Sequence, residues 1–80
     1  MARKVSKAEI IDVVAANVRA ARKVADITQE ALADDAGVDR TYVTQVEGGR
    51  RNITITVLAK LAKALKVTPD KLLVAPKRVR

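Results

Sequence analysis

The sequence predicts an all-α domain built from five helices. Three observations carry that prediction. Apolar residues recur at three- and four-residue spacing through most of the chain. Ser, Thr or Asp stands ahead of each such run, where a side-chain oxygen can cap a helix. The hydrophobic residues, 49% of the total, are almost all Ala, Val, Leu and Ile, with Tyr42 the only aromatic. Side chains that small let helices pack closely and are poor material for a large sheet or a cofactor pocket. The 80 residues make one small domain. A chain of this length buries only about 60–65% of its unfolded surface, so its core is small.

The first helix spans 7–24. Ser6 caps it, and Glu9 three residues on completes a capping box. Ile10, Ile11, Val14, Val18, Ala21 and Ala25 follow at helical spacing. Asp26 stands where the chain must turn, and Asp tolerates a left-handed conformation better than most residues. Thr28 caps a second helix, 29–36, which buries Leu32, Ala33 and Ala36 and sets Glu30 at the positive end of its dipole. Gly37 ends that helix and Val38 turns into the core. Asp39 caps a third helix, 40–47, with Val43 and Val46 inward, and Gly48-Gly49 stops it. Arg50, Arg51 and Asn52 form a polar loop. Thr54 caps a fourth helix, 55–65, with Ile55, Leu58, Leu61, Ala62 and Leu65 inward. The alternation at 53–57 also reads as a strand, but it is short and runs directly into a 3.6-residue period, so helix is preferred. Thr68-Pro69 starts a fifth helix running to 74, since Pro favours the first helical position, and Pro76 ends it. The plan is thus a basic arm at 1–5, a helical domain at 6–75 and a basic tail at 76–80.

Composition excludes several chemistries. Without Cys or His there are no disulfides, no thiolate nucleophile, no metal site of the usual zinc kind and no Ser-His-Asp arrangement. There is no glycine-rich phosphate loop, and Asp34 and Asp35 fall on different faces of a short helix, so they do not form a paired acid–base site. The expectation is a protein that is not an enzyme and needs no cofactor. No segment approaches the roughly 20 apolar residues of a membrane span. The opening M-A-R-K-V-S-K imitates the start of a signal peptide, but Glu9 and Asp12 interrupt the apolar run that should follow. A cytoplasmic location is expected.

The net charge of +7 sits mainly at the two ends. Residues 1–7 hold Arg3, Lys4 and Lys7, residues 75–80 hold Lys77, Arg78 and Arg80, and the body from 8 to 74 carries ten basic and nine acidic residues. Basic ends suit a polyanion, and they equally suit solvated tails. Charge alone does not identify the partner.

Residues 28–47 do more. They set two short helices around a tight turn at Gly37, the helix-turn-helix arrangement. The third helix would hold the core with Val43 and Val46 while presenting Arg40, Thr41, Thr44 and Gln45 on its outer face. Those side chains suit base edges in a DNA major groove: Arg for guanine, Gln for adenine, Thr for a thymine methyl. Taken alone, the same four residues also describe an ordinary solvated helix face. Gln29 lies at a helix N-terminus, a natural phosphate site. Arg50 and Arg51 directly follow the third helix, within reach of flanking phosphates, although loop arginines also serve solubility. Arg22 shares a face with Val18 and Ala25, points inward, and so needs a partner.

With these residues in place, 18–74 resembles the phage-repressor and Cro type of helix-turn-helix domain, the xenobiotic-response-element family. The stretch R-T-Y-V-T-Q-V-E-G-G-R-R-N-I is most similar to the controller proteins of restriction–modification systems. The resemblance implies a five-helix phage-repressor-like fold and sequence-specific binding of double-stranded DNA. It implies that Gln29 binds a phosphate and braces the reading helix, and that Arg40, Thr41, Thr44 and Gln45 face bases. Tyr42, Arg50, Arg51 and Asn52 would lie near the DNA backbone, and Arg22 would pair with Glu47 as scaffold. The sequence departs from the family at Asp26 and Lys66, which replace glycine, at Gly48, which replaces a bulkier polar residue, and in a longer first helix.

Such a regulator is expected to act as a homodimer, because one helix reads only a few base pairs and a palindromic operator mirrors a two-fold axis. Leu72 and Leu73 serve either as a dimer seam or as the last piece of the monomer core. A repressor would occlude RNA polymerase and an activator would touch it. The alternative is a protein-interaction module of the same fold, such as the antitoxin of a toxin–antitoxin pair.

Overall fold

The computed structural model describes residues 6–75, so the expected basic arm and basic tail lie outside the described residues. Four α-helices and one 3-10 turn follow in chain order: α1 (Lys7–Ala25), α2 (Gln29–Ala36), α3 (Arg40–Glu47), α4 (Ile55–Leu65), then the 3-10 helix Pro69–Leu72. Among the described residues no helix is long and apolar enough to cross a membrane.

Local chemistry sets the helix boundaries. The Ser6 hydroxyl accepts from the Glu9 amide at 3.1 Å, and the Glu9 carboxylate accepts from the Ser6 amide at 3.2 Å, closing the capping box. Thr28, Asp39 and Thr54 each accept an amide of the helix they precede, from Ala31, Thr41 and Val57 respectively. A cap of this kind is worth about 1 kcal/mol. At the other ends, α1, α2 and α4 each finish on a left-handed residue: Asp26 (φ 58°), Gly37 (φ 72°) and Lys66 (φ 61°). Gly37 meets that demand without strain; Asp26 and Lys66 carry a Cβ that the conformation disfavours.

The helices enclose an aliphatic core. Val18, Leu32, Val43, Val46, Leu61 and Leu72 are its largest fully buried side chains. Val14, Ala33, Ala36, Leu58, Ala62 and Leu65 fill the rest. Burying a Val or Leu side chain contributes about 1.5–3 kcal/mol.

Three sequence expectations need correction. There are four α-helices, not five: the expected helix from Pro69 to 74 is a single 3-10 turn. Its backbone bonds close over three residues, from the Lys71 amide to the Thr68 carbonyl and from the Leu73 amide to the Asp70 carbonyl, both at 3.0 Å, and Pro76 has no N–H to offer the Leu72 carbonyl. The Leu72 carbonyl instead accepts from the Asn17 side chain at 3.0 Å, and the same amide nitrogen donates to the Val74 carbonyl at 2.8 Å. Ile55 is not inward: it is 84% exposed. It continues the apolar stripe of α4, but its turn opens on a cleft beside Ile10, Ile11, Ile53 and Leu73 instead of meeting a helix. Ala25, which continues the apolar spacing of α1, is likewise exposed.

Lys66→Gly should raise stability by about 1 kcal/mol, because it relieves a left-handed residue at an exposed helix end. Urea denaturation measures this; an equal or lower midpoint would show that the lysine side chain offsets its backbone strain.

Candidate functional site

α2, the turn at Gly37–Asp39 and α3 form the helix-turn-helix. Gly37 donates its amide to the Asp34 carbonyl and Val38 to the Ala33 carbonyl, so the chain leaves α2 abruptly and Asp39 is placed to cap α3. Val43 and Val46 are buried, which anchors one face of α3. Arg40, Thr41 and Thr44 are exposed on the other, with Gln45 half-buried beside them. The four predicted base-facing residues therefore share one outward face.

The C-terminal end of α3 is locked from inside. Glu47, 5% exposed, is the one buried charged residue among the described residues. Arg22 grips its carboxylate with two bonds, Nε to Oε2 at 2.7 Å and Nη2 to Oε1 at 3.1 Å. The remaining Arg22 nitrogen, Nη1, donates to the Ile27 carbonyl at 2.9 Å, holding the α1–α2 loop. The hydrogen bond to Glu47 raises the Arg22 pKa above its ordinary value; burial opposes this and the Glu47 charge adds to it. Arg19 also donates to the Glu47 carbonyl, tying α1 to the last turn of α3.

Gln29 extends the same network toward the surface. Its amide nitrogen donates to Glu47 Oε1 at 3.0 Å. Its amide oxygen accepts from the Thr44 hydroxyl at 3.1 Å. One chain of polar contacts therefore runs from α1 through the end of α3 and the start of α2 to the outer face of α3. A shallow open depression lies at that point, lined by Arg22, Thr28, Gln29, Glu30 and Arg40.

The loop after α3 carries the remaining candidates. Gly48 closes the helix, and Gly49 takes φ 71°, with the Asp12 carboxylate 3.0 Å from where a Cβ would sit. This sharp turn sends Arg50, Arg51 and Asn52 along the edge of α3, all three exposed. The Arg51 guanidinium lies 4.3 Å from the centre of the Tyr42 ring, a cation–π contact that fixes the arginine beside α3.

Sequence reasoning missed Asn17 and Arg19. Asn17 had a weak signal: an asparagine inside a helix is unfavourable unless its amide finds a partner. Arg19 had none, because its acceptor is a backbone carbonyl 28 residues away.

A helix-turn-helix family model matches residues 18–72. The control protein C.SmaI of Serratia marcescens is 43% identical over 65 residues, covering 81% of this chain and 77% of that protein. The crystal structure of a hypothetical transcription factor from Neisseria superposes with a TM-score of 0.83 at 38% identity, over 95% of this chain and 87% of that one. The restriction–modification controller protein C.Esp1396I, solved as a tetramer in complex with its natural 35-base-pair operator, gives a TM-score of 0.74 at 32% identity, over 79% and 83% of the two chains.

Glu47→Ala should destabilise the domain by about 3 kcal/mol, since it strands the Arg22 guanidinium in a partly buried position. The lower end of the range for such pairs applies because the Arg22 side chain is 18% exposed. Chemical denaturation tests this, and a loss under 1 kcal/mol would show that solvent can replace the carboxylate.

Proposed function

The chain belongs to the helix-turn-helix family, and from that membership we propose that it is a sequence-specific transcriptional regulator that binds double-stranded DNA. The observation that carries this reading is the division of α3. Its inner face and C-terminal end are fastened to the core and to α1, leaving four polar side chains on a helix that cannot rotate. In this reading α3 enters the major groove, Arg40 takes a guanine edge and Gln45 an adenine edge. Gln29, Tyr42, Arg50, Arg51 and Asn52 lie along the sugar–phosphate backbone and set the register. Arg22 and Glu47 act as scaffold. The similarity to control proteins favours an operator within a restriction–modification system.

The protein acts as a homodimer on a palindromic operator. Support comes from the apolar surface beside the 50–52 loop. Ile55, Leu73 and Val74 are 84%, 44% and 60% exposed, and Ile55 and Leu73 face Ile10 and Ile11 across one cleft. An exposed aliphatic patch marks a contact surface more often than solvent-facing structure. Of Leu72 and Leu73, which the sequence left open as dimer seam or monomer core, Leu72 belongs to the core and Leu73 to this patch.

Selection of bound sites from random duplexes should return a palindromic consensus. Arg40→Ala and Gln45→Ala should each relax the preference at defined positions, costing about 1–3 kcal/mol of discrimination against the wrong base. Unchanged selectivity in both variants would mean that another face of the protein reads the DNA. No enrichment at all would shift weight to a protein-interaction module.

Ile55→Asp should leave the monomer folded, because the residue is exposed, and should convert the dimer to monomer in sedimentation velocity. A dimer of unchanged affinity would place the seam elsewhere.

A further inference from the structure

We propose that the two threonines of α3 read DNA through different groups: Thr44 through its γ-methyl, set against the C5-methyl of a thymine, and Thr41 through its hydroxyl. This rests on the DNA-reading role of α3 proposed above. The sequence offers two equivalent threonines on one helix face. The structure makes them chemically unlike.

A threonine hydroxyl has one proton to donate. At Thr44 that proton has two internal acceptors, the Gln29 amide oxygen at 3.1 Å and the Arg40 carbonyl at 3.2 Å. Neither acceptor is a passing contact. Gln29 is held at its other end by Glu47, which Arg22 in turn grips with two bonds. The Arg40 carbonyl belongs to the helix itself. A base-edge acceptor would have to break this chain to take the proton.

Threonine is also stiff at χ1, and in a helix its rotamer choice is governed by bonding back to the preceding turn. The Gln29 contact adds a second reason to keep the oxygen directed inward toward α2. The γ-methyl is then the branch that Thr44, an exposed residue, has left to offer. In the major groove the apolar feature that matches it is the thymine methyl.

Thr41 is the contrast. It is exposed, and its backbone amide is taken by the Asp39 carboxylate at 2.9 Å. Its hydroxyl has no partner among the described residues, so its proton is free for a base acceptor.

The test uses the full chain and a duplex obtained by site selection. Each thymine of that duplex is replaced in turn by deoxyuridine, which removes only the C5-methyl. The wild-type protein should lose about fourfold in affinity per half-site at one position, the factor that burial of one methyl supplies. Thr44→Ser keeps both hydrogen bonds and lacks the methyl, so it should bind the thymine and uracil duplexes equally. Thr44→Val keeps a methyl and lacks the hydroxyl, so it should retain the uracil penalty. Thr41→Ser should retain it too. If the wild type is indifferent to every replacement, or Thr44→Ser shows the full penalty, the inference is overturned while DNA reading by α3 stands. If no site can be selected, that reading fails and the inference with it.

Discussion

Glu47 brings one buried carboxylate to the end of α3, and side chains from α1 and α2 converge on the residue. Arg22 reaches it from α1, Gln29 from the start of α2, and Arg19 bonds its backbone carbonyl. Burying a lone carboxylate in a small domain would cost several kcal/mol, so the charge is tolerated only because its partners are placed to meet it. That requirement works in both directions. The carboxylate needs the arginine and the glutamine, and in satisfying it they fix the angle between α1, α2 and α3. An apolar contact at the same spot would hold the helices together without specifying their rotation. Directional bonds specify it, and the rotation of α3 decides which side chains face outward.

Much of this was legible in the sequence because it is governed by short-range chemistry. Ser6, Thr28, Asp39 and Thr54 cap the helices they were expected to cap, and the four α-helices begin at the expected residues. Gly37 marks the turn because a left-handed residue is needed there. The outward placement of Arg40, Thr41, Thr44 and Gln45 follows from the period of a helix whose other face holds Val43 and Val46. The pairing of Arg22 with Glu47 was implied by family resemblance and by the inward position of the arginine, not by spacing.

What escaped the sequence depends on contacts between distant elements. The expected fifth helix is a 3-10 turn whose following carbonyls, of Leu72 and Val74, are taken by the Asn17 amide of α1, a contact across more than fifty residues that nothing local reveals. Ile55 continues a good apolar stripe, and nothing in a stripe reveals whether a partner element reaches that turn. The bond from Thr44 to Gln29 joins residues that sequence reasoning had given separate tasks, one to bases and one to a phosphate. The structure shows them to be parts of a single polar chain.

The position of Tyr42 has a practical consequence. It is the only aromatic residue of the protein, and it lies on α3 against the Arg51 guanidinium. The core, built from aliphatic side chains, is silent in near-ultraviolet absorption and emission. Any intrinsic fluorescence signal therefore originates at the junction of α3 and the loop that follows it, and it responds to the arginine stacked on the ring. An optical titration without an added dye becomes a local probe of that edge, whereas far-ultraviolet dichroism follows the helices as a whole. When the two signals are recorded together, any lag between them reads out how tightly the edge is coupled to the rest of the domain.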